Sequence, residues 1–160
     1  MIEAVLGATG YIGRRLAAKA PDALRLGRSD FDLAGPGKLP YCGVLYLCAG
    51  ANGAKACEGN QSSFVVNVDG PVYLAETMAL RQGFMVFISS MSIEWMSAAY
   101  QRQKLAAETV LRAMPNVGIV RAGRVVDTNI DDLCDTLLMV GRNRIRGVTR
   151  WGNDDVAYRR

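Results

Sequence analysis

Hydrophobic residues along this chain fall into short, continuously apolar runs that alternate with longer stretches of helical period. The apolar runs predict strands at residues 3–6, 24–27, 44–48, 84–88 and 117–120. The helical stretches predict helices at residues 11–20, 61–81, 98–114 and 130–140. Strands that are apolar at every position, rather than at alternate ones, are typical of a parallel sheet covered by helices on both faces. The pattern therefore predicts an α/β fold, a doubly wound parallel sheet of Rossmann type with strand order 3-2-1-4-5.

Turn-forming residues separate these elements without dividing the chain into parts. Pro21 and Pro115 end the helices that precede them, because proline lacks the N–H that a helix interior needs. Gly35-Pro36-Gly37 and Pro40 predict a loop between the second and third strands. A length of 160 residues fits one domain, so we expect residues 1–160 to form a single domain.

Composition removes several classes of chemistry. The chain has no histidine, which excludes Ser–His and Cys–His nucleophile pairs and histidine-ligated zinc within it. Its four cysteines show no C-x-x-C spacing, so we expect no metal site, and Cys48 is expected to be a buried thiol. No apolar run approaches the ~18 residues of a membrane helix, and no signal peptide is recognisable. We therefore expect a cytoplasmic protein without membrane partners.

Positive charge is concentrated near the end of the chain. The formal net charge is only +4, but six arginines fall in the last twenty residues: Arg142, Arg144, Arg146, Arg150, Arg159 and Arg160. Such a cluster fits either a solvated tail or a site for an anionic ligand or nucleic acid. No aromatic residues alternate with the arginines in a nucleic-acid motif, so we interpret the segment as a solvated tail and expect no nucleic-acid partner.

A glycine-rich turn follows the first predicted strand and opens the first predicted helix. It reads Gly7-Ala-Thr-Gly10-Tyr-Ile-Gly13. Gly7 permits a tight turn, Gly10 allows a pyrophosphate to approach the backbone, and Gly13 lets the helix pack closely on the strand. The helix N-terminus presents free N–H groups and a partial positive charge to phosphates. The turn therefore predicts a dinucleotide site formed by Gly7, Thr9, Gly10, Tyr11, Ile12 and Gly13.

The G-x-x-G-x-x-G spacing resembles the short-chain dehydrogenase/reductase superfamily in its extended or atypical branches. Four further segments carry the resemblance in consistent order over roughly residues 1–125. They are Cys48-Ala49-Gly50, similar to the family's N-A-G turn, Asn67-Val-Asp-Gly-Pro, Phe87-Ile88-Ser89-Ser90, and the Y-x-x-x-K pair Tyr100-Gln-Arg-Gln-Lys104. The resemblance implies an NAD(P)-dependent oxidoreductase, with Cys48, Ala49, Gly50, Asn67, Ser89, Tyr100 and Lys104 near the cofactor.

The residue types suit hydride transfer to a carbonyl. Tyr100 can donate a proton to the carbonyl oxygen, and Lys104, on the same helix face, can lower the tyrosine pKa from its free value near ~10 and bind the nicotinamide ribose. By family position Ser90 is the serine that orients the carbonyl, and Ser92 is the fallback. We therefore expect Ser90, Tyr100 and Lys104 to be catalytic, with a Tyr100 pKa well below its free value.

Cofactor choice depends on the residues after the second predicted strand, Leu26-Gly27-Arg28-Ser29. A carboxylate at this point would bind the ribose hydroxyls of NAD, whereas Arg28 and Ser29 offer a guanidinium and a hydroxyl to a 2′-phosphate. The nearby carboxylates of Asp30 and Asp32 oppose this interpretation. The stretch is similar to one in dTDP-4-dehydrorhamnose reductases, where the later aspartate, here Asp32, lies near the adenine. We expect NADP, with NAD as second choice.

Two departures from the family leave the activity open. Extended members carry a C-terminal lobe for a nucleotide-sugar, whereas residues 153–157 here resemble an element that normally leads into another helix. We therefore expect the lobe to be absent, reduced or supplied by another chain. Ser90 and Tyr100 are only ten residues apart, which shortens the substrate loop. We expect carbonyl reduction on a small molecule or sugar nucleotide. The alternatives are a non-catalytic NAD(P)-binding module or subunit, and a nucleotide-sugar epimerase or dehydratase.

The absence of a lobe also bears on association. The predicted helix at residues 61–81 carries Val65, Val66, Val72, Leu74 and Met78, more apolar residues than one buried stripe requires. Family members commonly pair through this helix and the one at residues 98–114. We therefore expect a homodimer.

Overall fold

The structure, a computed structural model, describes residues 1–35 and 37–152. Their elements, in chain order, are β1 (Glu3–Leu6), α1 (Tyr11–Lys19), β2 (Leu24–Leu26), β3 (Val44–Leu47), α2 (Ala54–Cys57), α3 (Gln61–Phe64), α4 (Gly70–Leu80), β4 (Phe84–Ser90), α5 (Ala99–Leu111), β5 (Val117–Ala122), α6 (Ile130–Arg142) and β6 (Gly147–Trp151). A π-helical turn (Val65–Asp69) joins α3 to α4, and a 3-10 turn (Met91–Glu94) follows β4. Arg159, Arg160 and the segment at residues 153–157 lie outside the described residues.

The strands form one parallel sheet with the order β2-β1-β3-β4-β5-β6. The predicted α/β class and doubly wound parallel sheet are confirmed, but the order 3-2-1-4-5 is wrong because β3 lies between β1 and β4. All four residues of β3 are buried, which requires a neighbouring strand on each side and helices on both faces. In β2, by contrast, Leu24 and Arg25 are exposed, as befits an edge.

The sixth strand, β6, was not predicted. Its sequence, Gly-Val-Thr-Arg-Trp, lacks a continuous apolar run, and it pairs with β5 at the sheet edge. Two arginines of the supposed solvated tail have partners instead. Arg142 Nη2 lies 2.9 Å from Glu3 Oε2, and Arg150 Nη2 lies 2.6 Å from Glu94 Oε1. Both side chains remain more than half exposed, so they are solvated as expected, but they belong to α6 and β6 rather than to a tail.

The predicted helix at residues 61–81 is helical throughout most of its length, but its middle is the π-helical turn. Such turns insert one extra residue and are often found at functional sites. Here Asn67 is 1% exposed and Val68 is also buried. A regular helix alone would not have indicated that a polar side chain turns inward at this point.

Two hydrophobic layers enclose the sheet. On one face it packs against α4 and α5 through residues such as Leu74, Met78 and Leu111. On the other face it packs against α1 and α6 through Leu16 and Leu133. The connections reverse direction between β1 and β3, so a crevice opens there at the carboxyl ends of the strands, where ligands bind in open α/β sheets.

Helix α1 is also joined at the surface to α6, and to the turn before it, by three polar pairs in regular register. Tyr11 Oη donates to Asp127 in that turn, whereas Arg15 pairs with Asp131 and Lys19 with Asp135 on α6. Because all three pairs are exposed, solvent screening leaves each of them only a small contribution to stability. Among residues 1–35 and 37–152, no helix has the length and apolar character that crossing a membrane requires.

Candidate active site

The glycine-rich turn is held by close backbone contacts that exclude a side chain. Gly7 has φ +89°, and a Cβ there would lie 2.6 Å from the Ala49 nitrogen in the turn after β3. A Cβ on Gly13 would lie 2.1 Å from the Gly7 carbonyl oxygen. Gly10 caps α1 without a side-chain hydrogen bond, and the first turn of α1 holds no acidic residue. Its N–H groups are therefore suited to an anionic ligand.

A cleft of about 350 Å³ opens beside this turn at the crevice between β1 and β3. Ten of the predicted cofactor residues line it: Gly7, Thr9, Gly10, Tyr11, Ile12, Arg28, Asp32, Cys48, Ala49 and Gly50. Residues that the sequence reasoning missed complete its wall: Leu6, Gly27, Phe31, Leu33, Ala51, Asn52 and Val66. Burial raises the pKa of the Cys48 thiol to about 12, so this cysteine contributes an uncharged wall rather than a nucleophile.

The remaining predicted residues do not line this cleft. Gly13 packs beneath it, and Ser29 lies exposed on the turn after β2. Asn67 and Ser89 are almost fully buried, at 1% and 2% exposure. Tyr100 and Lys104 lie on α5, outside the cleft's lining.

The charged side chains of the turn after β2 differ in how firmly they are held by hydrogen bonds. The side chain of Arg28 is 83% exposed, and its Nε lies 3.8 Å from Asp32 Oδ2. Asp30 Oδ2 accepts a hydrogen bond from the Gly27 N–H at 2.7 Å, and Asp32 Oδ1 accepts one from the Ala34 N–H at 3.0 Å. Both carboxylates therefore cap their own turn, whereas the guanidinium extends over the rim of the cleft.

Asn67 holds the cleft to the helix that carries Tyr100. Its Oδ1 accepts from the Ala51 N–H at 2.8 Å, and its Nδ2 donates to the Ala51 carbonyl and to Gln103 Oε1 at 2.9 and 2.8 Å. Gln103 in turn donates to Ser63 Oγ at 2.8 Å. Asn67 thus supports this region by hydrogen bonds to other protein groups, and it does not line the cleft itself. Gln103 lies inside the Y-x-x-x-K segment, but its inward orientation has no signal in the sequence.

Tyr100 and Lys104 occupy successive turns of α5, as their spacing predicts. Lys104 Nζ donates to the Ile88 carbonyl at 2.9 Å and lies 4.6 Å from the centroid of the Phe87 ring. The same atom lies 5.8 Å from the centroid of the Tyr100 ring. The ammonium is therefore held between the end of β4 and the phenol ring.

Burial dominates the titration of both groups. It lowers the pKa of Lys104 to about 8 and raises the pKa of Tyr100 to about 12. The expectation of a Tyr100 pKa well below its free value is therefore wrong for this structure. Loss of hydration is the main cause for Tyr100, and the hydrogen bond of Lys104 goes to the Ile88 carbonyl rather than to the phenol.

The serines at the end of β4 point to different partners, because successive residues of a strand face opposite sides of the sheet. Ser90 Oγ accepts from the Ser92 N–H at 3.2 Å and lies 2.8 Å from Ser92 Oγ, which also accepts from Gln101 Nε2 at 3.1 Å. Ser89 Oγ instead donates to Glu108 Oε2 at 2.9 Å. Ser90 and Ser92 therefore lie together at the start of α5, whereas Ser89 is buried and bonded to α5, and its contact with a cofactor stays a prediction.

Beneath this region lies a buried ion pair that the sequence reasoning missed. Glu108 is fully buried, and Arg121 Nη2 approaches its Oε1 to 2.6 Å. Burial acts to raise the pKa of Glu108, but hydrogen bonds from Arg121 and Ser89 outweigh it and hold the pKa below its usual value. An arginine within the otherwise apolar strand β5 is the one sequence signal that could have indicated such a pair.

Fold and glycine turn together define an α/β domain of Rossmann type with a cleft at its switch point. No protein-family model matches the chain, and no curated protein matches it. Solved structures share the fold. A dTDP-4-dehydrorhamnose reductase from Clostridium acetobutylicum has a TM-score of 0.79 at 18% identity, over 94% of this chain and 74% of that chain.

Two further structures extend this comparison. The dTDP-4-dehydrorhamnose reductase from Bacillus anthracis, in complex with NADP, has a TM-score of 0.75 at 15% identity, over 96% of this chain and 75% of that chain. A small-chain dehydrogenase has a TM-score of 0.70 at 18% identity, over 98% of each chain. Likeness at these identities establishes the fold, and at that level it confirms the resemblance found in the motifs.

Proposed function

We propose that the protein is an NADP-dependent oxidoreductase of the short-chain dehydrogenase/reductase type, which reduces a carbonyl on a small molecule or sugar nucleotide. The observation that carries this proposal is that the candidate residues all follow the carboxyl ends of neighbouring strands. The glycine turn follows β1, Ser90 ends β4, and Tyr100 and Lys104 lie in the first turns of α5. A nucleotide cleft and a proton-donating phenol thus lie along the carboxyl ends of one sheet.

The residues of the cleft fit a dinucleotide phosphate. The N–H groups at the start of α1 would hold the pyrophosphate, since Gly7 and Gly13 leave no side chain between it and the backbone. Arg28 would bind a 2′-phosphate, and the two aspartates beside it are engaged with backbone N–H groups. This favours NADP, with NAD as second choice. Bacillus anthracis dTDP-4-dehydrorhamnose reductase with NADP and Pseudomonas aeruginosa RMD with NADPH (19% identity, TM-score 0.60) share the fold.

Bound NADPH would supply the hydride, and the chain's own side chains would manage the proton. Tyr100 stays protonated at neutral pH because burial raises its pKa to about 12, so its Oη can give a proton to a carbonyl oxygen. The Lys104 ammonium, 5.8 Å from that ring, stabilises the negative charge that this donation leaves. The Ser90 and Ser92 hydroxyls can orient the carbonyl by hydrogen bonding.

A sugar nucleotide is the substrate class that we favour. The solved structures of similar fold include dTDP-4-dehydrorhamnose reductases and a UDP-rhamnose synthase from Acanthamoeba polyphaga mimivirus (11% identity, TM-score 0.72). We also propose that residues 1–160 form a single dinucleotide-binding domain. Under this proposal the short segment after Ser90 contributes contacts to the substrate, and the cleft holds the dinucleotide.

A non-catalytic NAD(P)-binding module is the second candidate. It is favoured by the pairing of the polar groups around Tyr100 with one another, since Ser90 bonds to Ser92 and Lys104 to the Ile88 carbonyl. An epimerase or dehydratase would use the same three side chains. The test is NADPH titration by calorimetry, followed by absorbance assays with dTDP-4-dehydrorhamnose and simple aldehydes. Substrate-dependent NADPH oxidation supports the reductase, binding without oxidation supports the module, and conversion without net oxidation supports the epimerase or dehydratase.

We further propose a cytoplasmic homodimer. Of the apolar residues first invoked for pairing, Leu74 and Met78 are fully buried and Val66 lines the cleft, so these three are not available to its surface. Tyr73 and Leu80, seven residues apart on α4, are instead 53% and 90% exposed. Light scattering at micromolar concentration should give twice the chain mass, and Leu80→Glu should reduce it to one. A monomeric unmodified chain contradicts this part of the proposal.

A further inference from the structure

The short segment between Ser90 and Tyr100 is built around one 3-10 turn. Ser90 Oγ caps the turn by accepting from the Ser92 N–H, and the Trp95 and Met96 N–H groups both donate to the Ser92 carbonyl, at 3.2 and 2.9 Å. Gln101, next to Tyr100, donates to Ser92 Oγ. The positions of both hydroxyls relative to α5 therefore depend on how this turn is held.

Glu94, the last residue of the turn, provides its ionic attachment to the sheet. Its Oε1 lies 2.7 Å from Arg121 Nη1 on β5 and 2.6 Å from Arg150 Nη2 on β6. The Glu94 side chain is only 25% exposed and that of Arg121 only 11%. Charge-assisted bonds to a largely buried guanidinium restrict geometry more strongly than neutral ones.

The same arginine also binds the helix that carries the phenol. Arg121 directs its Nε and Nη2 to Glu108, which lies on α5 one turn after Lys104 and accepts from Ser89 of β4. Arg121 thus bridges two carboxylates, one on the turn and one on α5. The distance between the Ser90–Ser92 pair and Tyr100 is set by this bridge as well as by the chain between them.

We propose that Glu94 is a positioning residue that fixes the segment between Ser90 and Tyr100 by holding its turn on Arg121 and Arg150. Its role in the reaction rests on the proposed reductase function. Besides the buried Met91 and the Gln101–Ser92 hydrogen bond, the Glu94 carboxylate ties the segment to β5 and β6, so its loss should loosen the segment. Because rate depends steeply on the alignment of reacting groups, a small displacement of the hydroxyls should lower turnover more than binding.

The test compares Glu94→Gln with a matched control, Glu3→Gln. Glu3 is also a largely buried carboxylate, 14% exposed, that is bound by an arginine. It begins β1, however, and so lies at the amino ends of the strands, away from the candidate site. Amide hydrogen exchange of residues 91–98, the NADPH dissociation constant, and kcat and KM for carbonyl reduction are measured on both full-length variants and on the unmodified chain.

Glu94→Gln should accelerate exchange at residues 91–98 and lower kcat by about 10- to 100-fold, with the NADPH dissociation constant unchanged within about twofold. Glu3→Gln should leave both exchange at residues 91–98 and kcat unchanged, even where it lowers the melting temperature. Glu94→Asp should restore part of the lost rate. Unchanged exchange in Glu94→Gln, or an equal loss of kcat in both variants, overturns the proposal. If the unmodified chain binds NADPH but reduces no carbonyl, the reductase function fails, and exchange alone then decides whether Glu94 holds the segment.

Discussion

The two ends of the candidate site are built in different ways. At the nucleotide cleft, the groups that would contact a ligand are backbone N–H groups and the exposed Arg28, and glycines create the space. Around Tyr100, side chains are buried and bonded to one another, as in the Asn67–Gln103 and Glu108–Arg121 pairs. The cleft is therefore open to a ligand as it stands, whereas the region around Tyr100 is a closed polar network in which each group positions the next.

This difference predicts that substitutions at the two ends will separate binding from turnover. Loss of an exposed group at the cleft should change affinity and little else. Loss of a buried group near Tyr100 should change rate or stability, because its buried partners are left without a hydrogen-bonding group.

The largest expected effect is that of Tyr100→Phe. This change removes only the hydroxyl, so kcat should fall by ~10²–10⁴, the range for general acid catalysis, while NADPH affinity stays the same. Tyr73→Phe, which alters an exposed tyrosine on α4, serves as the control and should leave kcat unchanged. Steady-state assays combined with calorimetry provide the measurement. Equal turnover in both variants would show that Tyr100 is not the proton donor.

Glu108→Gln should lower the free energy of unfolding by about 3–5 kcal/mol, because it leaves Arg121 buried with one carboxylate fewer. The comparison variant is Asp131→Asn, which breaks an exposed pair with Arg15 and should change the free energy of unfolding far less, because solvent screens that pair. Urea denaturation measures both. Similar losses in the two variants would contradict the contrast between a buried network and a solvated surface.

The third prediction concerns the pH dependence of stability. Burial lowers the pKa of Lys104 from 10.5 to about 8, so the unfolded chain binds more protons than the folded one between those values. The free energy of unfolding should therefore rise by about 1 kcal/mol between pH 8 and pH 9. Above pH 9 the raised pKa values of the Cys42, Cys48 and Cys134 thiols act in the opposite direction, and above pH 10 so does that of Tyr100. Lys104→Met should abolish the rise, and a rise of equal size in that variant would assign it to other groups.

The last prediction concerns the cleft, where the effect should be confined to cofactor affinity. Arg28→Ala should weaken NADPH binding by about 1.5–3 kcal/mol, the contribution of a hydrogen bond to a charged group, and should leave NADH binding unchanged. Arg25→Ala, an exposed arginine of β2 whose guanidinium bonds to the Ala17 carbonyl, is the matched control. Calorimetry with both cofactors decides. Equal loss for NADPH and NADH would mean that Arg28 does not recognise the 2′-phosphate.

Local features of this site could be predicted because they depend on neighbouring residues. The glycine spacing places a tight turn before a helix whatever the rest of the chain does, and the four-residue step from Tyr100 to Lys104 puts both on one helix face. Strand type was equally readable, since continuous apolar runs belong to covered parallel strands.

Arrangement across the sheet was not readable in the same way. The place of β3 beside β1 follows from which strands need two neighbours, and β6 acquires its place by pairing with β5 although its own residues are mixed. Burial likewise reversed the expected direction of the Tyr100 pKa, because hydration is lost only once α5 packs against the sheet.

The sequence by itself thus determined the class of fold, the cleft-forming turn and the candidate donor pair, since these are set by backbone geometry over a few residues. Tertiary structure alone decided the strand order, the inward turn of Ser89, and the pairing of Arg121 with both Glu94 and Glu108. The physical reason is that a buried charge selects its partner by proximity after packing. Arg121 lies 13 positions after Glu108, and the residues between them contain no local signal of that contact.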